Sequence, residues 1–499
     1  MDPSTIAQIV TWTLTIAIVS GAIIADTQRN PMGHPKNFTK YRTLNWCLIG
    51  FSYALSYMGR YNINVLSGYS QLEQDFGVND LGIVITVGFW AYAVFVVMNG
   101  FIVDRIGAKK GIMIGTSGSG MMNVVMGAYI YGAQKTNFTG TKFVVVLSIL
   151  YAINNFFQTF STSSICKAGV NWYHISERGF FSGIFGVVIS FGFFLSFQVN
   201  GLILDVLPTP FLFYIPAITL FIMFFLDWMV TSAIPEHKFT ADELFTLRGD
   251  DPQIRDARPP FREVIKPILS QKIFYFLGAC EILIGWFRDG ILSWYPSYFN
   301  SLGDDTNSIP YILAANGVTI GGMFGSLLAG VISDLFCNAQ RQPVALFNTC
   351  GVFVMQFIFV FVYQNDYAGA VMIGLISIFF SGVHGIITST CAMDFAGHGA
   401  TGTASGLLDG IQKVGSGLTG APMGAIIDKW GYQAWIISMM PASGLCAILF
   451  SIILKVRSAE HMAMDKQADK QGLLVSNGPA DIMEEDGVLD VLDAEDILE

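Results

Sequence analysis

Three cations stand deep inside apolar runs of this 499-residue chain: Arg60, Arg288 and Lys413. A basic side chain at mid-helix in a bilayer costs about 2.5–3.5 kcal/mol, so the three together cost on the order of 8–10 kcal/mol unless compensated. Around Arg60 stand Tyr53, Ser56, Tyr57, Tyr61, Asn62 and Asn64, none of them a carboxylate. Arg288 has Glu281 two turns earlier on the same helical stripe, whereas the adjacent Asp289 is expected to point elsewhere. Lys413 has Asp409 at i−4, on its own face and within pairing reach. Arg60 is therefore the cation without a local partner, and a diffusible anion is the partner expected for it. Arginine suits that task because its planar fork donates two parallel hydrogen bonds to a phosphate or carboxylate and keeps its charge. Arg60 and Arg288 are candidate anion ligands. Lys413 either joins them or, neutralised by Asp409, serves packing. Glu281 and Asp409 are candidates for coupling or charge balance. The alternative for each arginine is to snorkel to the membrane surface or to pair within its own half.

Further polar groups fall near these cations. Asn154, Asn155 and Gln158 form one polar helical face that can meet ligand hydroxyls or bridge helices. His384 stands between Val383 and Gly385 and can line a cavity, relay a proton or be a satisfied structural histidine. Tyr61, Asn62, Trp286 and Trp294 can shape a site, although aromatics near span ends also anchor helices at the interface. A second constellation has a mechanical character. Gly100, Asp104, Arg105, Gly107, Lys109 and Lys110 form a GxxxDRxGxKK segment, where glycine permits close helix approach and Asp104 can face a neighbouring helix N-terminus. With Asp334 in the second half, it reads as a conformational latch and topology anchor. The seven cysteines show no CxxC spacing and read as small buried residues, with neither disulfide framework nor metal site expected. No nucleotide loop, catalytic triad or cofactor motif is present, so enzymatic activity and ATP drive are not expected.

The elements that must position these groups follow from composition. The chain is 53% hydrophobic and 13% charged, with mean hydropathy +0.53, a balance that membrane spans require. Its net charge of −10 owes much to a terminal tail rich in Asp and Glu, residues 481–499, and does not suggest a nucleic-acid partner. Runs of about 20 apolar residues mark spans. Twelve form a regular series, near 44–67, 81–103, 111–132, 143–165, 179–203, 209–233, 272–299, 309–333, 342–363, 368–391, 403–427 and 433–455, and an extra run, 5–24, precedes them. Of the 27 Lys and Arg residues, 21 fall in connections on one side, which is thereby cytoplasmic; the other side holds Lys135, Lys142 and Lys429. The N-terminus is then outside and the C-terminus cytoplasmic. Internal repetition sets the architecture: Asp104 and Asp334, Arg178 and Thr401, Arg60 and Arg288 recur at offsets of 223–230 residues. The expected fold is an all-α membrane protein of 6+6 transmembrane helices in two pseudo-symmetric bundles plus one extra N-terminal helix. Its parts are 1–43 (extra helix and basic linker), 44–233 (first bundle), 234–271 (cytoplasmic linker), 272–455 (second bundle) and 456–499 (acidic, disordered tail).

The latch segment, its counterpart after the eighth span and the twelve-span plan resemble the major facilitator superfamily. A narrower resemblance covers about residues 42–455. Gly59, Arg60, Tyr61 and Asn62, the RxGILxWxPxY stretch from Arg288 to Tyr298, Trp172 and Tyr173 with Glu177, Arg178 and Gly179, and Gly402 to Gly406 are similar to the organophosphate:phosphate antiporters. That family includes carriers of glycerol phosphate, hexose phosphates and phosphoglycerates. The resemblance implies that Arg60 and Arg288 are the two phosphate-binding arginines. There are departures: where glycerol phosphate members carry a Lys in the second span and a His in the fifth, this chain has Val96 and Ile189. Hexose phosphate members carry Asp-Gly-Ile-Lys in the eleventh span; here Asp409, Gly410, Ile411 and Gln412 precede Lys413, one residue later. This tilts the expectation toward a larger phosphorylated sugar or acid.

The expected function is exchange of a small organic phosphate for inorganic phosphate by alternating access, without cofactor or metal, as a monomer in a bacterial inner membrane. Two alternatives remain open: proton symport of a small carboxylate or sugar acid, with Glu281 as coupling group, and a transporter-like sensor of a phosphorylated metabolite.

Overall fold

The computed structural model describes residues 3–28, 30, 33–66, 78–136, 140–173, 178–235, 238–239, 261–270, 272–337, 342–387 and 401–470. They belong to two units, Met1–Ile453 and Leu454–Glu499, the second described only in its helical residues to 470. Among the described residues every regular element is helical. In order they are α1 (Pro3–Gln28), α2 (Lys36–Met58), α3 (Asn62–Leu66), α4 (Val78–Ile106), α5 (Ala108–Thr136), α6 (Thr141–Trp172) and α7 (Arg178–Phe194). A wider π turn, Leu195–Val199, continues α7 into α8 (Asn200–Val206), and α9 (Phe211–Val230) follows. The second half has α10 (Phe261–Ser270), α11 (Lys272–Leu302), α12 (Ile309–Phe336), α13 (Gln342–Val362), α14 (Asp366–Gly385), α15 (Thr401–Leu418) and α16 (Ala421–Lys470).

Nine helical segments are long and apolar enough to cross a bilayer by length and composition alone, and one of these, Thr403–Leu454, contains the last two apolar runs. Gly431 divides that segment with φ of 77°, a left-handed conformation that glycine adopts without strain. Helices α2, α5 and α11 coincide with the other three runs but carry more polar side chains, α11 including Glu281, Arg288 and Asp289. Pro208 and Pro210 separate α8 from α9, and side chains of Ser308 and Asn365 accept from backbone N–H groups to start α12 and α14. Helix extends into both connections. The basic linker after the first run is largely helical, since α2 begins at Lys36, and the 234–271 segment contains α10. Residues 236, 237, 240–260 and 271 of that segment and the tail beyond residue 470 lie outside the described residues.

Helix α4 packs on α6 and α15, α7 on α12, α11 on α15, and α12 on α14. Apolar side chains such as Ile218, Ile222, Phe225 and Trp228 stay exposed along one stripe of α9, a pattern that lipid accommodates. Helix α1 packs on α2, α7 and α12. Its buried Asp26 is the tie: the carboxylate lies 3.6 Å from Arg42 and accepts from Thr43, Trp46 and Tyr173 at 2.5, 2.8 and 2.9 Å.

Candidate anion-binding site

Arg60 lies in a turn, residues 59–61, between α2 and α3, so the first run is interrupted at the arginine. The turn is held from α5 and α6. Asn154 and Asn123 donate to the Gly59 carbonyl at 3.0 and 3.3 Å, and Tyr151 donates to the Arg60 carbonyl at 3.0 Å. The guanidinium is 1% exposed. Its Nε donates to Gln158 Oε1 at 3.1 Å, while Gln158 is itself fixed by donating to the Ser56 carbonyl and to Ser119 Oγ. The ring faces of Tyr57 and Tyr92, each 4.8 Å away, take the cation, but one terminal nitrogen, Nη2, has no hydrogen-bond partner. Among the described residues no carboxylate lies within 4 Å of it.

The other two cations are paired, and by the residue the sequence reading set aside. Asp289 Oδ1 accepts from Arg288 Nη1 at 2.9 Å, and Oδ2 accepts from Lys413 Nζ at 2.8 Å and Ser416 Oγ at 2.5 Å. The expected Lys413–Asp409 pair is therefore not formed. Asp409 accepts instead from Tyr92 Oη at 2.9 Å, across to α4. The cause is backbone proximity. A Cβ at Gly285 would overlap the Gln412 carbonyl, and one at Gly415 the Ile282 carbonyl, so α11 and α15 touch and Asp289 meets Lys413 directly. A partner from a touching helix with a third donor, Ser416, outcompetes the i−4 pair along α15. Nor is Glu281 the partner of Arg288. Its Oε2 accepts from Gln412 Nε2 at 2.8 Å, and the same nitrogen lies 2.9 Å from His384 Nδ1.

One cavity is lined by Arg60, Arg288, Lys413, Asp409, Gln412 and His384, closed by Tyr57, Tyr92 and, from α7, Phe185 and Ile189. Aromatic rings connect its two arginines: Arg60 lies over Tyr57, Tyr57 meets Phe193 edge-on at 5.2 Å, and Arg288 lies 5.5 Å over Phe193. Tyr61 stacks on Tyr57 behind this wall. Of the sequence candidates, Arg60, Arg288, Lys413, His384 and Asp409 come together here. Gln158, Asn154 and Tyr61 support the site from behind, and Asn62 does not reach it. Asn62 bonds Asn123 at 2.9 Å and caps its own helix through the Ile63 N–H. Glu281 is reached only through Gln412. Val96 packs beside Gly406 and Gly410, outside the cavity.

Of the latch segment, Asp104 lies at a neighbouring helix N-terminus, as its motif position allows. Asp104 accepts from the backbone N–H and hydroxyl of Thr403 at 2.9 and 2.8 Å, capping the start of α15, and pairs with Lys167 at 3.2 Å. Gly100 is buried in α4, and Arg105 lies over the Phe101 ring at 4.2 Å. Lys109 donates to the carbonyls of Trp228 and Thr231 at the end of α9. Asp334 falls in α12, its side chain outside the described ones. Sequence reasoning missed Asp289, Ser416, Gln412 and Tyr92. The available signal was the small-residue spacing of Gly415 with Ser416 on one helix and Gly285 on another, which marks close helix packing.

The Major Facilitator Superfamily model matches residues 49–420 of this chain. The chain is 26% identical over 418 residues to the glycerol-3-phosphate transporter of Bacillus subtilis (strain 168), covering 81% of this chain and 89% of that protein. It is 22% identical over 431 residues to the membrane sensor protein UhpC of Escherichia coli (strain K12), covering 82% and 91%. In structure it is similar, with a TM-score of 0.58 and 15% identity over 83% of this chain and 95% of the other, to a bacterial homologue of the human lysosomal transporter Spinster in an inward-facing, unoccupied conformation.

Proposed function

Since this chain belongs to the major facilitator superfamily, as a multi-pass membrane transporter and not an enzyme, we propose that it exchanges a small organic phosphate for inorganic phosphate. The candidate cargoes are a sugar phosphate, glycerol phosphate or phosphoglycerate. The observation that carries this reading is the state of Arg60: fully buried, beside two further cations in one cavity, with an unpartnered nitrogen and no carboxylate within 4 Å among the described residues. A buried cation without a counter-charge is costly, and a ligand that supplies one binds there with that cost relieved. Similarity to a glycerol-3-phosphate transporter supports phosphate as the anion.

In this reading two bundles, 44–233 and 272–455, rock about the cavity, with the N-terminus outside and the C-terminus in the cytoplasm of a bacterial inner membrane. Organic and inorganic phosphate compete for the same cations, so exchange follows from one site with two loads. Closing and opening act on bonds between the halves. Asp104 to Thr403 lies at one end of α4, Thr86 to the Gly417 carbonyl and Ala421 N–H at the other, and Tyr92 to Asp409 lies between. Gln198 to Asn316 and Thr306 to Asp205 link α8 and its π turn to α12 and the segment before it. A second reading, a sensor that binds the phosphate ester and moves little of it, is favoured by similarity to UhpC.

The test is uptake of radiolabelled phosphate into phosphate-loaded proteoliposomes, with Arg60→Lys and Arg288→Lys beside the wild type and organic phosphates and sugar acids as competitors. Exchange by wild type and its loss in both variants is the expected result, and the best competitor identifies the cargo. Phosphate binding without exchange supports the sensor. Entry of a carboxylate with a pH gradient, and no phosphate exchange, overturns the proposal.

A further inference from the structure

The bonding of Asp289 is divided between its two oxygens. Oδ2 holds two donors of α15, Lys413 Nζ and Ser416 Oγ, whereas Oδ1 holds a single terminal nitrogen of Arg288. Arg288 is correspondingly underused: its Nε is buried and without a partner. A guanidinium engages a carboxylate or phosphate best through two parallel bonds, so one contact with Asp289 leaves the fork open to a better acceptor. Asp289 is fully buried, and both cations it neutralises line the cavity that also contains Arg60.

From this geometry we infer that Asp289 is a tethered counter-anion: it is shared by Arg288 and Lys413 while the cavity is empty, offsetting part of their charge, and yields Arg288 to the incoming anion, keeping Lys413 and Ser416. The inference rests on the reading of the cavity as an anion site and adds the residue that competes with the ligand. Two anions sharing Arg288 in a dry site repel one another, and the singly bonded Oδ1 is the one that gives way. Competition of this kind lowers affinity below what three bare cations would give and so favours release. It also leaves the empty site with less uncompensated charge, which permits some return of the unloaded carrier. Asp289 is thus a positioning residue that sets affinity and coupling, not itself an anion ligand.

The test uses the full chain purified in detergent, with its melting temperature followed against inorganic phosphate for wild type, Asp289→Asn and Ser416→Ala. Removing the competitor is expected to lower the half-saturating phosphate concentration about tenfold in Asp289→Asn. Ser416→Ala, which only loosens Oδ2, is expected to shift it in the same direction by about two- to threefold. A folded Asp289→Asn protein that needs as much phosphate as wild type, or more, overturns the inference. If that variant does not fold, an unchanged or weakened response of Ser416→Ala overturns it. Should no protein respond to phosphate, the exchange reading fails, and the clamp is judged by Asp289→Ala in acetate. A melting temperature that acetate raises toward the wild-type value supports an anion requirement of Arg288 and Lys413; no rise defeats it.

Discussion

Arg60 and Arg288 stand 228 residues apart at matching places in the two halves of the chain, yet their surroundings differ in kind. Arg60 is held by neutral groups: an amide oxygen, two tyrosine faces and the carbonyl-fixing asparagines behind its turn. Arg288 is held by a carboxylate that it shares with Lys413. Repetition of the residue type does not repeat the electrostatics. One half of the cavity has a cation with no carboxylate within 4 Å among the described residues, and the other has two cations sharing one carboxylate. In the proposed reading the first half attracts the anion, while the second sets how tightly it is kept.

The sharpest break of this comparison is a stability measurement on its two ends. Asp289→Ala leaves two buried cations with one fewer anion and is expected to cost about 3–5 kcal/mol. Arg60→Met removes an uncompensated cation and is expected to leave stability unchanged or raise it while abolishing phosphate exchange. Denaturant or thermal unfolding in detergent reads both; equal destabilisation of the two would mean that Arg60 has an internal counter-charge. Next in size, Gly415→Val forces α15 away from the Ile282 carbonyl of α11 and so separates Lys413 from Asp289. Overpacking of this kind costs about 1–3 kcal/mol, and exchange is expected to fall with it. Exchange at the wild-type rate would show that the Lys413–Asp289 pair is dispensable.

On the Arg60 side, Gln158→Ala removes the acceptor that orients the guanidinium. A lost hydrogen bond to a charged group is worth about 1.5–3 kcal/mol, so the half-saturating phosphate concentration is expected to rise about tenfold or more, with little change in the Arg288 variants made in that background. The smallest effect concerns the latch. Asp104→Ala removes the cap on α15, worth about 0.5–2 kcal/mol, and the end of the cavity nearest that cap is expected to open more often. Cys166, buried and hydrogen-bonded to Ser405 at the cavity edge, is a native reporter: its alkylation is expected to accelerate. Unchanged labelling would relieve Asp104 of a gating role.

How much was readable in advance varies with the range of the interaction. The helices coincide with the apolar runs because twenty consecutive apolar residues leave a bilayer segment no other way to satisfy its backbone. The capping role of Asp104 was readable because the motif places a carboxylate at a helix end, where a neighbouring N-terminus can use it. Arg60 without a sequence-local carboxylate proved to have none nearby in space either, among the described residues. The partners of Lys413 and Glu281 were not readable, and Asp289 was set aside, because i−4 and i−7 spacing compares candidates on one helix only. Lys413 found Asp289 on α11, Glu281 found Gln412 on α15, and Asp409 found Tyr92 on α4.

The sequence alone therefore determined the solvent, the helices, the major facilitator family and the place of the three cations inside the apolar runs, since hydropathy, repeat offset and residue type are properties of the chain. Tertiary structure alone decided which carboxylate meets Arg288 and Lys413. That depends on α11 and α15 touching at Gly285 and Gly415, a contact between residues more than a hundred positions apart, which brings the only carboxylate within 4 Å of Lys413 among the described residues to the same atom as Ser416.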